Sequence, residues 1–530
     1  MKMKILNLFL VVTGCLFLSA CGDFLKEYSK ELTYAHSCKD LDEVLIGNGY
    51  FKSESKSSRF GLASLKNATL YYPWLQVMDD DLEEFGFGMF GTGSALYGLR
   101  PFYAWQQTPF QDEKGNPFDD PTWKKLYEHI GYLNVIIAQV KEFSDDPEET
   151  RNRVQGEAEF LRGACYYLLV NMYAKPYVKA TANDDLGVPL NVTEKIESKY
   201  FSRDKVADVY EQIVKDLKNA SLHLEGIQQS TIYRVNSTAA RILLSRVYLY
   251  MGEWELALVE SERAIALGCP LWDLNDFDAT NIAETSTSAY TKANYINSAD
   301  SPEVLFTQGT NAMNLLTNDN SDAGRYRVSD ELWALFHKYN EPGQLRDLRD
   351  TCYFTPAVKN KSYRFSRKNS SFAKDIKVFD SFVIRTVEAY LNKAEAEAML
   401  DRADAVETLK TILVNRFQDG KIPSVVTGLS GKELVDFIRE ERRRELCFES
   451  HRWFDLRRYA VCMKYPEAKE ITHKLYGPAV GEGVLMDNVV LKAYGEDAAW
   501  VMPIPTYEID FNKGNMVDNE ERPDRPIPLL

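Results

Sequence analysis

Asp79-Asp80-Asp81 and Glu83-Glu84 put five carboxylates into six positions, a set that could attack a glycosidic bond or hold Ca²⁺. Glycoside cleavage needs two carboxyl groups held across the substrate at a defined separation, which adjacency along the chain does not supply. Asp319 to Asp330 echoes a calcium loop, with Ser321, Gly324 and Asp330 at workable offsets, but Ala323 stands at a ligand position. The six His are scattered without an HExxH, and no two Cys form a CxxC, so neither metal nor cofactor is expected. With no nucleophile, metal or acid-pair motif, no enzyme is expected. Aromatic residues offer a different chemistry. Phe85, Phe87, Phe90, Tyr97, Phe102, Tyr103 and Trp105 crowd one stretch, and Trp272, Phe277, Tyr290 and Tyr295 mark another. A flat ring beside amide or guanidinium donors suits a sugar, which presents C–H patches on its faces and hydroxyls at its edges.

The N-terminus carries a covalent chemistry of its own. Lys2 and Lys4 precede a mostly apolar run from Ile5 to Leu18, followed by Ser19, Ala20 and Cys21. That is the plan of a cleaved secretory leader. The run is shorter than the roughly 20 residues of a membrane-spanning helix. Leu18-Ser19-Ala20-Cys21 resembles a bacterial lipobox, which implies cleavage before Cys21 and acylation of its thiol and new amine. Each buried methylene contributes about 0.8 kcal/mol, so several acyl chains make a lasting anchor. An ordinary secretory leader with a coincidental cysteine is the alternative. Cys38, Cys165, Cys269, Cys352, Cys447 and Cys462 remain, too widely spaced for a disulfide framework. Cys165 and Cys447 fall in apolar helical patterns and read as core residues.

The formal net charge is −15, and it becomes more negative once Lys2 and Lys4 leave. Nucleic-acid binding and docking of a basic face on anionic lipid are both disfavoured. Behind a polar tether at 21–38, helical stripes dominate. Thr122–Phe143, Glu148–Tyr173 and Asp204–Leu224 repeat apolar residues every three to four positions. Two short helices, Ser237–Met251 and Glu253–Leu267, meet at Gly252. Gly252-Glu253-Trp254-Glu255-Leu256-Ala257, with Ala264 seven residues on, is close to the tetratricopeptide helix-turn-helix pattern, whose small residues let paired helices approach. Arg385–Leu400 and Arg402–Phe417 form a second such pair, with Ala389, Ala394, Ala398 and Ala405. Such pairs must stack to bury their apolar faces. Trp254, Trp333 and Trp453 lie in helices and read as core. The stretches 82–121, 270–330 and 465–500 read as long loops, too aromatic for disordered linkers.

A series of segments, in order, resembles the SusD/RagB-like outer-membrane nutrient-binding lipoproteins of Bacteroidota. They are Cys21-Gly22-Asp23-Phe24-Leu25; Met78-Asp79-Asp80; Trp123-Lys124-Lys125-Leu126-Tyr127 leading into Asn134; Glu157-Ala158-Glu159-Phe160-Leu161-Arg162 with Tyr166-Tyr167; and Arg234-Val235-Asn236. Val387 to Ala396, Ile438 to Leu446 with Arg452 to Arg458, and Pro503-Ile504-Pro505 complete the series. Tyr173-Ala174 departs from the expected Tyr-Gly. The resemblance implies a mostly α-helical fold, with tetratricopeptide-like pairs as scaffold (122–267 and 385–460) and loops forming a ligand face, all within 39–530. It implies a SusC-type TonB-dependent transporter as partner, a glycan as ligand, anchorage in the outer membrane at the cell surface, and no bond-breaking step. The acidic cluster then reads as a loop anchor.

Phe87, Tyr97, Arg100, Trp105, Tyr290, Tyr295 and Asn311 are the candidate ligand contacts, because they sit in the loops that build this surface in relatives. Taken one at a time, each favours packing over ligand contact. Glu441 and Glu445 continue the core face set by Leu434 and Ile438. A buried carboxylate is costly without a cation, so Arg442, Arg444, Arg452 and Arg457 are expected to form a structural ion-pair network with them. A scaffold lipoprotein that binds only proteins, a surface hydrolase, and a peptide or glycopeptide cargo are the rival readings.

Overall fold

The computed structural model describes residues 35–53, 65–66, 70–84, 98–112, 114–277, 295–317, 326–354, 364–369, 378–477 and 484–526. Helices dominate. The longer ones are α1 (Cys38–Val44), α2 (Pro121–Gln139), α3 (Glu148–Tyr173), α4 (Val206–His223), α5 (Ser237–Met251), α6 (Trp254–Gly268), α7 (Asp330–His337), α8 (Thr386–Met399), α9 (Ala405–Leu413), α10 (Gly431–Leu446) and α11 (Arg452–Ala460). Side-chain caps start several of them: Asp120 accepts from the Thr122 amide, Asn236 from that of Ala239 and Ser329 from that of Leu332.

The scaffold is a line of stacked helices. α2 packs on α3, α3 on α4, α4 on α5, α5 on α6 and α6 on α8, which carries α9 and α10. Small residues set the spacing. A Cβ added at Gly163 would lie 3.2 Å from Leu217, and one at Gly156 only 2.8 Å from Leu224, so α4 could not approach α3 past any larger residue. Ala239, Ala257, Ala264, Ala394 and Ala405 are fully buried in the corresponding seams. Gly252 ends α5 at φ +72°, the left-handed conformation that turns the chain straight into α6. The helix expected over 402–417 is shorter: α9 stops at Leu413, and the carbonyls of Asn415 and Arg416 accept instead from the amides of Leu274 and Leu348. Ala174, after α3, is extended at φ −128°, so the expected glycine is not needed there.

The three stretches read as irregular loops carry regular pairing. β1 (Leu82–Glu84) is antiparallel to β3 (Tyr326–Val328), and β2 (Val304–Gln308) to β4 (Phe382–Arg385), which leads into α8. β5 (Ile471–Tyr476) and β6 (Leu485–Leu491) form a ribbon with Ile471 opposite Leu491. Among the described residues β6 has no strand on its other side, and Leu485 and Val490 are exposed there.

The segment 191–201 lies across α2 as a strap tied at both ends. Asn134 Nδ2 donates to the carbonyls of Asn191 (2.8 Å) and Thr193 (3.2 Å), while the Phe201 amide donates to Asn512 Oδ1 at 2.7 Å. Arg162 holds Asn134 Oδ1 at 2.9 Å while pairing with Asp216 at 2.6 Å. Two residues of the family-like segments thus position a loop.

Trp453 is buried and stacks on Trp500 at 4.6 Å, whereas Trp254 and Trp333 are half-buried against the core. The six described cysteines are free thiols; Cys165 and Cys447 are fully buried, as their patterns predict. Among the described residues no helix is long and apolar enough to cross a membrane.

Candidate functional site

The charges of α10 and α11 face inward, and their partners come from across the chain. Glu441 pairs with Arg349 (2.5 Å) and Arg444 (2.8 Å); Glu445 pairs with Arg416 (2.6 Å) and Arg349 (2.8 Å). Arg416 also reaches Glu303 at 2.7 Å, and Arg385 links Glu303 (2.6 Å) to Glu449 (3.1 Å). Burial alone would raise the Glu445 carboxyl, but Arg416, Arg349 and Arg385 outweigh it and hold it far below the ordinary range. The expected partner set is therefore corrected. Of the arginines named from the sequence only Arg444 meets one of these two glutamates. Arg442 pairs with Asp455 (2.9 Å) and Glu388 (3.4 Å), and Arg452 with Asp80 (2.7 Å). Arg457 donates to the backbone carbonyls of Asn171 and Ala174. Arg349, Arg385 and Arg416 lie far from α10 in sequence, and single charged residues on a one-turn helix, a strand end and a turn carry no periodic signal that could have found them.

The acidic trio belongs to the same framework. Asp80 accepts from Arg452 and pairs with Arg443 (3.2 Å) and Lys469; Asp81 pairs with Arg443 at 2.8 Å. Their oxygens lie close enough together to hold a cation, but Asp80 and Asp81 are already paired with these basic residues. The trio anchors the start of β1 against α10, α11 and the run into β5.

The ligand candidates divide. Phe87, Tyr97 and Tyr290 lie outside the described residues. Trp105 is fully buried: its indole N–H donates to the Met78 carbonyl at 2.9 Å, and its ring stacks on His473 at 4.2 Å. His473 stacks on Tyr103 too, at 4.0 Å, and burial pushes its imidazole down to about 4 although carbonyls of Tyr103 and Asp79 face both ring nitrogens. Arg100 is buried 3.2 Å from Glu84 and donates to the Tyr476 carbonyl at 2.9 Å. Burial pushes Glu84 up to about 7 against the pull of Arg100. Trp105 and Arg100 thus join β1, the turn Arg100–Tyr103 and β5 instead of presenting an open platform, because the aromatic density there is spent on packing. Tyr295 is also buried. Asn311 is buried at the end of β2, with neither side-chain amide atom hydrogen-bonded. Beside it Asp380 accepts from the amides of Ala312 (2.9 Å) and Met313 (2.8 Å), and burial pushes its carboxyl up to about 7.

Comparison with known proteins bears on what this framework is. A family model described as "Starch-binding associating with outer membrane" matches residues 101–249, and one described as "SusD family" matches 284–521. The chain belongs to the SusD/RagB family. Among its relatives, SusD-like protein P2 of Formosa agariphila is 27% identical over 375 residues, covering 63% of this chain and 70% of that protein. A SusD superfamily protein of Bacteroides thetaiotaomicron superposes with a TM-score of 0.66 at 21% identity, over 91% of this chain and 100% of that one. A putative sugar binding protein of Bacteroides vulgatus gives 0.64 at 23% identity, over 92% and 98% of the two chains. A laminarin binding SusD-like protein gives 0.56 at 18% identity, over 91% and 98%. At such identities the structural likeness establishes a SusD-like, mostly α-helical fold.

Proposed function

We propose that this protein is a cell-surface lipoprotein that captures a glycan and delivers it to a SusC-type TonB-dependent outer-membrane transporter, without cleaving it. The observation that carries the reading is the pair of SusD-family matches, in chain order, over a fold shared with proteins described as sugar-binding. The stacked helices and the buried ion pairs form a rigid frame that ties β1, β2 and β4 in place, and a frame of that kind suits a loop face that must hold its shape between ligands. Cys21 is the lipid attachment point in this reading. Delivery favours modest affinity and rapid release, since a tightly held sugar would stall onward transfer.

The test uses the full mature chain in affinity gels containing soluble starch, laminarin and other neutral and acidic polysaccharides, alongside co-purification from membranes. Retarded migration in at least one gel, no release of reducing ends, and recovery with a transporter are expected. Migration indifferent to every polysaccharide, or release of reducing sugar, overturns the reading. Cys21→Ala is expected to move the protein from the membrane fraction to the soluble one.

A further inference from the structure

Helix α2 presents Tyr127, Gly131, Tyr132 and Val135 to the strap at 191–201. Between them, with Phe511 beside the strap, lies a groove of about 810 Å³, within the size range of small-ligand sites. None of its walls comes from 82–121, 270–330 or 465–500, the stretches that hold the loop candidates. Both walls are set by contacts already described, the Asn134 and Arg162 bonds at one end of the strap and Asn512 at the other, so the opening exists before anything binds.

The wall chemistry narrows the occupant. Its apolar part is mostly rings: Tyr127, Tyr132, Tyr200, Phe201 and Phe511. Tyr200 is 47% exposed and Phe511 68% exposed, unusual for rings whose burial is worth so much. An ammonium group lies over two of the groove's rings. Lys513 Nζ sits 4.8 Å over Tyr200, and Lys199 Nζ sits 4.8 Å over Phe201. Hydrogen-bonding groups interleave with the rings, among them Glu128, Thr193, Lys195 and Asn191, whose Oδ1 has no partner. A fatty ligand would need an apolar wall without these interruptions. An acidic polysaccharide or a nucleic acid would need a cationic wall, yet Glu128, Glu194 and Glu197 offset Lys195 and Lys199. Rings spaced by hydrogen-bonding groups at near-zero charge match a neutral sugar chain.

We propose that the groove between α2, the 191–201 strap and Phe511 is a carbohydrate site in its own right, taking a neutral oligosaccharide by stacking on Tyr200 and Phe511. The site is separate from the loop face and does not require that face to bind sugar.

Gly131 supplies a clean test. A Cβ there meets nothing within 4 Å, so a leucine projects into the groove while its backbone favours the helix. Calorimetric titration of the full mature chain with maltoheptaose and with laminarihexaose is the measurement. For at least one sugar, Gly131→Leu is expected to remove one binding event per chain with no loss of melting temperature. Tyr200→Ala with Phe511→Ala is expected to weaken that event by about tenfold, the worth of two ring contacts. Crystals grown with the same sugar should show it against both rings. Unchanged stoichiometry and affinity in Gly131→Leu overturn the proposal and leave glycan capture elsewhere intact. So does a wild-type chain that binds neither sugar, or a variant that binds sugar normally but no longer recovers a transporter, which would make the groove a protein seat.

Discussion

At the scale of single residues, the informative outcome concerns charge inside the core. Glu445 is surrounded by three guanidinium groups, and removing its charge leaves them with too little negative partner. Glu445→Gln is expected to cost about 3–5 kcal/mol in chemical denaturation at neutral pH, the range for breaking a buried pair from one side. Its pH dependence follows from the sign of the shift. The folded-state carboxyl is held below its ordinary value, so its contribution is complete above about pH 5. It is lost as pH falls through the depressed value, and the gap between wild type and variant should narrow on acidification. Trp105 makes the second case. Read from the sequence it is a candidate ligand contact, with packing the favoured alternative; in the fold it is a core residue, and Trp105→Ala is expected to cost about 3–5 kcal/mol. Residue type and loop position look the same for a tryptophan that stacks on sugar and one that stacks on His473. Only a neighbour 368 positions away tells them apart, which is why the candidate site was less legible than the fold.

At the scale of elements, the helices were legible because their faces repeat every three to four residues and their seams are marked by glycine and alanine. The strands were harder. Ile471, His473 and Leu475 do alternate inward with Thr472 and Lys474 outward, a period of two that is visible in the sequence. β1 and β3 are three residues each, too short for any period to register. The seams also yield a comparison between two substitutions of one kind. Gly131→Ala gains helix propensity at no steric cost and is expected to stabilise the protein by up to about 1 kcal/mol. Gly156→Ala gains the same propensity but drives a Cβ to 2.8 Å from Leu224, so a net loss is expected. Melting curves of the two variants recorded side by side decide it; equal shifts would mean that α3 and α4 are not in close contact at that point.

At the scale of the whole molecule, ion pairs bind distant stretches of chain into one unit: Glu303 before β2, Arg385 in β4, Arg416 after α9 and Glu445 on α10. A single cooperative unfolding transition is expected in calorimetry, and a reductant should not move it, because the described cysteines are free thiols. A drop in melting temperature with dithiothreitol would reveal a disulfide. The ribbon of β5 and β6 bears on handling. With one margin of β6 unpaired among the described residues and Leu485 and Val490 outside, concentrated solutions invite strand-to-strand stickiness between copies. A single lysine at position 490 should blunt it, so Val490→Lys is expected to stay monodisperse in light scattering at concentrations where the parent begins to clump.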